Sequence, residues 1–288
     1  MGKLIRCITS DGAIMATAVD TTDIVAQAEQ YHKTSAVVTA ALGRLLTAAS
    51  MMGNMLKGKD NSLTLRIKGD GPVGAIVAAS DANGDVRGYA VNPVVELPLN
   101  DKGKLDVSGC IGKNGTLFVV KDLGLKEPYN GFVPLVSGEI AEDITAYYAE
   151  SEQIPTVCAL GVLVNPNLTV KQAGGFIIQL LPGADDTVID KLEASIKEMD
   201  AVTRLMDNGM SHKEILLTAL KGFDVEIVYE QDIAYKCSCN RQRVEKAIVS
   251  LGKEELQNMA NEEESIEVCC HFCDKKYIFT RTELQELL

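Results

Sequence analysis

Tryptophan is absent from this chain of 288 residues, aromatics make up only 5% of it, and histidine occurs three times. His32, His212 and His271 form no His-Glu-x-x-His pair, and there is no Gly-x-Ser-x-Gly or Walker-type loop, so no hydrolase, ATPase or other enzyme is expected. The glycine-rich run Gly69-Asp70-Gly71-Pro72-Val73-Gly74 reads as a hairpin turn, not a phosphate cradle. Basic residues are outnumbered, 28 against 40, which leaves a formal charge of -12. Such a field repels phosphate backbones and anionic membrane surfaces, so neither nucleic acid nor membrane is an expected partner. No uninterrupted apolar run approaches the roughly 20 residues of a membrane span. The N-terminus has no apolar secretory stretch, and Gly2 is followed by Arg6 where myristoylation wants Ser or Thr at that position. A cytoplasmic location is expected.

What is present is an ordinary globular composition, 46% hydrophobic and 24% charged. Ile24, Ala28, Tyr31, Val38, Leu42, Leu45 and Leu46 recur near a 3.6 period and predict one or two core helices over 23–57. From 62 to 136 short β runs alternate with turn residues: 63–68, 74–79, 86–92, 117–121 and 132–136. A helix over 138–151 capped by Ser137 and strands over 156–164 and 174–181 complete an α+β arrangement of antiparallel sheets and helices. Leu181-Pro182-Gly183 marks its end, so residues 1–184 are read as the main domain. Charge-dense helices follow: an apolar stripe of Val188, Leu192, Ile196, Met199, Val202 and Leu205, then a helix capped by Ser211 and Glu214 and running to about Lys221. Residues 225–235 read as a strand. The segment 185–236 is therefore a largely helical linker. Residues 237–288 read as a small domain of two short helices, a hairpin over 265–279 and a terminal helix capped by Thr280 and Glu283.

The clearest chemistry lies in that last segment. Cys237-Ser238-Cys239 and Cys270-His271-Phe272-Cys273 offer four soft ligands, the number and type of a closed tetrahedral zinc site. Cys269 and His271 flank Cys270 and compete for the metal as alternative ligands. A segment of 52 residues with few large apolar side chains needs such a staple to fold. Zinc-bound thiolates are also the form that oxidants attack, so the site is both lock and trigger. Neighbour-with-neighbour disulfides, Cys237 with Cys239 and Cys270 with Cys273, need little chain searching. The segment carries seven Lys or Arg and ten Asp or Glu, a net of 7 − 10 = −3, which opposes a phosphate-binding role. Two other classes fit the same cysteines: a constitutive zinc-ribbon interaction module, and a thiol–disulfide oxidoreductase, which would want its Cys-x-x-Cys at a helix N-terminus. Cys7, Cys110 and Cys158 sit in apolar surroundings and read as core residues.

The two knuckles with Tyr277-x-Phe279 just beyond, together with the Gln172–Ala184 stretch and the Arg6–Gly12 opening, resemble the redox-regulated heat-shock chaperones of about thirty-three kilodaltons. The resemblance spans the whole chain and implies an ATP-independent holdase. Its reduced form holds one Zn2+ on Cys237, Cys239, Cys270 and Cys273 and is inactive. Its oxidised form carries disulfides Cys237–Cys239 and Cys270–Cys273, has lost zinc, and binds unfolding proteins as a homodimer, with hand-off to ATP-driven foldase chaperones. Residues 1–184 would bind clients and dimerise, 185–236 would be a metastable linker, and 237–288 the switch. Linker unfolding would then expose Val188, Leu192, Ile196, Met199, Val202, Leu205, Met206, Leu216, Leu217 and Leu220 to clients. In the reduced state these ten are expected to be packed. Cys269 lies outside the family's motif.

Overall fold

A computed structural model describes all of residues 1–288 and divides them into two compact units, Met1–Tyr235 and Lys236–Leu288. The first unit opens with a hairpin, β1 (Gly2–Thr9) and β2 (Ile14–Asp20), that the sequence pattern leaves unassigned although Ser10-Asp11-Gly12 is a turn signal. Helices α1 (Thr22–His32) and α2 (Ala36–Asn54) follow, then β3 (Ser62–Lys68), β4 (Ala75–Asp81) and β5 (Val86–Ala90). A short helix α3 (Val107–Ile111), also unforeseen, precedes β6 (Thr116–Asp122) and β7 (Tyr129–Pro134). Helix α4 (Ala141–Tyr147) runs into one π turn over Tyr148–Glu152, and β8 (Thr156–Val164) and β9 (Val170–Leu180) form the next hairpin. Residues beyond 184 belong to the same unit: α5 (Asp186–Glu198), α6 (Val202–Asp207), α7 (His212–Ala219) and β10 (Val225–Ile233).

The strands pair antiparallel, in two five-stranded sheets ordered β10-β1-β2-β9-β8 and β5-β4-β3-β6-β7, and one isolated parallel bridge joins Val86 to Tyr235. The glycine-rich run Gly69–Gly74 is the β3–β4 connection, as a hairpin turn should be. Helix α2 packs against strands of both sheets, and every residue of it except Ala36 and Arg44 is buried. By length and composition it could cross a membrane, but 89% of its apolar window lies inside the protein. Burial on all sides explains an apolar helix without a polar face. Small residues let the sheets approach: a Cβ on Gly53 would sit 2.7 Å from the Asp81 carbonyl oxygen. Buried hydroxyls on α2 are paired, Thr47 with Thr21 and Ser50 with the Gly84 carbonyl, each at 2.7 Å, whereas Arg44 pairs with Glu139 through Nη1 and keeps a buried Nε without a partner.

The opposite face of the first sheet carries Ile5, Cys7, Ile14, Ala16, Ala18, Phe176 and Ile178, and these pack against α5, α6 and α7 as a second core. The apolar stripe predicted as one helix is two, because Met199 is extended (ψ 137°) and breaks the ladder before Ala201. The Ser211–Glu214 capping box forms as expected. The predicted Ser137 cap does not. The chain turns through positive φ at Gly138 and Ile140 and brings the buried Asp143 carboxylate back under the loop. There Oδ1 accepts the backbone N–H of Val136 (2.7 Å) and Ser137 (3.1 Å), and Oδ2 accepts that of Ile140 (2.9 Å).

Between α1, β9 and the α6–α7 turn lies a cavity of about 420 Å3 lined by Asp20, Asp23, Lys171, Met206, Met210 and His212 among others. The Nε2 atom of His212 is buried there without a hydrogen-bond partner. Burial lowers the imidazole pKa from its ordinary value; Asp20 and Glu230 oppose that shift, whereas Lys3 and Lys213 add to it.

The second unit contains α8 (Arg241–Val249), α9 (Lys253–Glu262), a hairpin of β11 (Ser265–Cys269) and β12 (Lys276–Thr280), and α10 (Arg281–Glu286). The Thr280–Glu283 box caps α10 as predicted. Its buried core is six residues: Ile248, Leu256, Ala260, Tyr277, Phe279 and Leu284.

Two tests follow from the first unit. Asp143→Ala strands several buried N–H groups, each costing about 1–3 kcal/mol, and is expected to lower unfolding free energy by roughly 3–5 kcal/mol in urea titrations. Because the folded His212 pKa lies below its unfolded value, the unfolded chain binds more protons as pH falls. That contribution to stability is complete above the ordinary imidazole range and is lost below it. The urea midpoint of the first unit should drop between neutrality and about pH 5, and His212→Gln should remove part of that drop.

Candidate metal centre

The sulfurs reach their places through local backbone rules. Cys237 and Cys239 lie in the extended segment that enters α8, where Asn240 caps the helix by accepting the Arg243 N–H at 2.9 Å. Arg243 also donates to the Ser238 hydroxyl, which fixes the residue between the two cysteines. Cys270 and Cys273 occupy the β11–β12 turn. The N–H of Cys270 donates to the Lys275 carbonyl at 3.0 Å, and the Cys270 carbonyl accepts from Cys273 (3.3 Å) and Asp274 (2.9 Å). Asp274 takes positive φ, 54°, which closes the turn and sets both sulfurs on one side.

Arg241 ties the two knuckles together. Its guanidinium lies 4.3 Å from the Phe279 ring centroid, donates to the Ile278 carbonyl at 3.0 Å and pairs with Glu283 at 2.6 Å. Within this frame the Sγ atoms of Cys237, Cys239, Cys270 and Cys273 all fall within 4.8 Å of one another. Cys237 and Cys270 are 3.7 Å apart and Cys239 and Cys273 3.5 Å, far beyond the ~2.05 Å of a disulfide. All eight cysteines are free thiols. Four thiols at these separations can hold one metal ion. Of the two alternative ligands, neither belongs to this group: Cys269 is exposed with its thiol on the Asp274 carbonyl at 3.5 Å, and His271 is exposed.

Electrostatics separates the sulfurs. Burial raises the Cys237 and Cys273 thiols above the ordinary range. Burial also opposes ionisation of Cys239, but the Tyr277 hydroxyl, donating to its Sγ at 3.2 Å, and the neighbouring thiols outweigh it and bring this group down to about 7. The hydroxyl contact was not legible in the sequence, where Tyr277 stood only as part of a motif. Elsewhere, burial pushes Cys7 and Cys110 up to about 11 and Cys158 higher, and all three pack in or against the first unit's cores. Burial of this kind disfavours the thiolate, the nucleophilic form.

Of the ten linker residues, nine are packed. Leu192, Val202, Leu205, Met206, Leu216 and Leu220 are buried in the second core, and Val188, Ile196 and Met199 lie partly buried against it. Met210, Ile215, Ala219 and Phe223 belong to the same cluster and were not singled out. Leu217 differs: it is 41% exposed because α7 turns that position away from the sheet.

Comparison with known proteins gives one answer along the whole chain. The family model described as Hsp33 protein matches residues 2–280. The 33 kDa chaperonin of Acetivibrio thermocellus is 49% identical over 285 residues, covering 99% of this chain and 96% of that protein. The Bacillus subtilis protein of the same name is 47% identical over 287 residues, covering 100% and 98%. The crystal structure of a 33 kDa chaperonin from Thermotoga maritima superposes with a TM-score of 0.90 at 39% identity, covering 99% of this chain and 97% of that one. A cluster of four free thiols in a small C-terminal unit, on a chain alike throughout to these proteins, places it in the Hsp33 family of chaperones.

Proposed function

We propose that this chain is a redox-regulated, ATP-independent holdase, silent while its four clustered cysteines are reduced and bind one Zn2+, and active once they are oxidised. The observation that carries this reading is the convergence of four sulfurs to within 4.8 Å. Tetrahedral zinc with Zn–S bonds of ~2.3 Å sets its sulfurs about 3.8 Å apart, and the contacts of 3.5 and 3.7 Å fit that spacing. When bound, zinc keeps all four sulfurs as thiolates and supplies folding free energy on the order of 10–16 kcal/mol. Six buried residues are a weak substitute.

In the oxidative step each pair of thiolates gives two electrons to one molecule of hydrogen peroxide, forms one S–S bond and, with two protons, leaves two waters. The pairs are Cys237 with Cys239 and Cys270 with Cys273, joined by chain proximity once the sulfurs are free to move. Sulfurs so joined no longer act as thiolate ligands, and residues 237–288 lose the fold that depended on them. The 185–236 segment runs directly into this module and is built of helices of 13, 6 and 8 residues, lengths that are marginal in water without a surface to pack on. Its release uncovers Val188, Leu192, Ile196, Met199, Val202, Leu205, Met206, Leu216 and Leu220, with the sheet face beneath them, as a surface for unfolding proteins. Leu217 adds little, being exposed already.

In this reading, residues 1–184 bind clients and form the active homodimer in the cytoplasm, and clients pass on to ATP-driven foldases. Placement of Cys270–Cys273 in a β turn, away from any helix N-terminus, weighs against an oxidoreductase.

The deciding experiment follows aggregation of a heat-denatured protein and zinc release together, with and without peroxide. Oxidation is expected to release one zinc per chain, raise binding of a hydrophobic dye and suppress aggregation; equal suppression before and after oxidation overturns the switch. Cys273→Ser should lose zinc, unfold residues 237–288 and bind clients without oxidant, and a compact, client-free mutant would refute the link between ligands and silence.

A further inference from the structure

Strand β12 alternates strictly, with Tyr277 and Phe279 buried and Lys276 and Ile278 exposed. Tyr277 lies opposite Val268 in the hairpin and is 6% exposed, so its ring is locked by the small core. Its hydroxyl donates to Cys239 Sγ at 3.2 Å. That sulfur comes from the other knuckle, so a side chain on the hairpin of Cys270 and Cys273 braces the Cys-x-Cys segment without any metal in between. Lys275 Nζ lies 5.3 Å from the Tyr277 ring centroid, a cation–ring contact that adds to the forces holding the ring in place.

We infer that Tyr277 is a positioning residue that sets how readily the thiolate centre yields to oxidants, by holding Cys239 and drawing on its lone pair. The inference rests on the reading of the four cysteines as a metal-holding switch. Two effects act in the same direction. A sulfur that accepts a hydrogen bond has less electron density to offer an electrophile, and a ligand fixed by an outer partner is retained more tightly by a metal. Removing the hydroxyl therefore lowers the threshold through both routes. The remaining ring of Tyr277→Phe keeps the packing of the core.

The test uses the full reduced chain loaded with Zn2+. Zinc transfer to a chromogenic chelator is timed, and a short pulse of iodoacetamide, in which sulfur displaces iodide, is mapped by mass spectrometry. Tyr277→Phe is expected to speed zinc loss by roughly ten-fold or more and to move the earliest alkylation to Cys239. Ile266→Val, which loosens the same core without touching the hydroxyl, should raise alkylation of all four ligands evenly. Site-specific 3-fluorotyrosine at position 277, a stronger donor, should slow zinc loss. Rates for Tyr277→Phe equal to wild type, or an even rise over all four cysteines like that of Ile266→Val, overturn the inference. Neither readout uses client binding, so a failure of the holdase reading shows itself separately, as oxidised wild type that does not suppress aggregation.

Discussion

The first sheet is apolar on both faces, and everything else in the larger unit answers to that constraint. Leu4 and Val19 point to one side, Ile5, Ile14, Ala16 and Ala18 to the other, and a strand with no polar face must be covered twice. One cover is α2, a single helix of 19 residues buried almost throughout between two sheets. The other is assembled from three short helices whose outward faces are dense in Asp, Glu and Lys. The sheet is thus covered by one long helix on one face and by three short ones on the other. Apolar area in contact is worth about 25 cal/mol per Å2 on either side, but helices of 13, 6 and 8 residues depend on that contact for their helicity more than one of 19 does.

The smaller unit has the complementary problem. A core of six buried residues cannot order 53 residues by burial alone, and its order is concentrated instead at a few polar and sulfur contacts: the Arg241 staple, the Asp274 turn and the four thiols. Such a unit responds to chemistry at single atoms, where a broad hydrophobic core would not.

Much of this arrangement was legible from residue spacing. The two knuckles, the Ser211–Glu214 and Thr280–Glu283 caps and the Gly69–Gly74 turn are local signals, set by residues within a few positions of one another, and they fold as local rules require. What spacing missed depends on partners far away. Strand β1 carries its apolar residues on both faces, which hides the two-residue alternation of an ordinary strand. Ser137 sits where a cap belongs, yet Asp143 takes the role because a backbone turn through Ile140 delivers a charged acceptor to several N–H groups at once. The break at Met199 and the outward Leu217 reflect the shape of the sheet beneath, which no periodicity reports. The Tyr277 hydroxyl meets Cys239 across 38 positions of chain.

Strand β10 lies at the rim of the first sheet and pairs with β1 from Gly2↔Ile233 to Thr9↔Val225, and Ile233 stands four positions before Cys237. Were it to peel away with the segment that contains it, β1 would become an open margin, a row of main-chain donors and acceptors without mates. Main-chain pairing reads no sequence: any extended polypeptide can dock along such a margin by strand addition. A surface that bared both an oily face and an unzipped border would hold an extended chain by its backbone as well as by its apolar side chains.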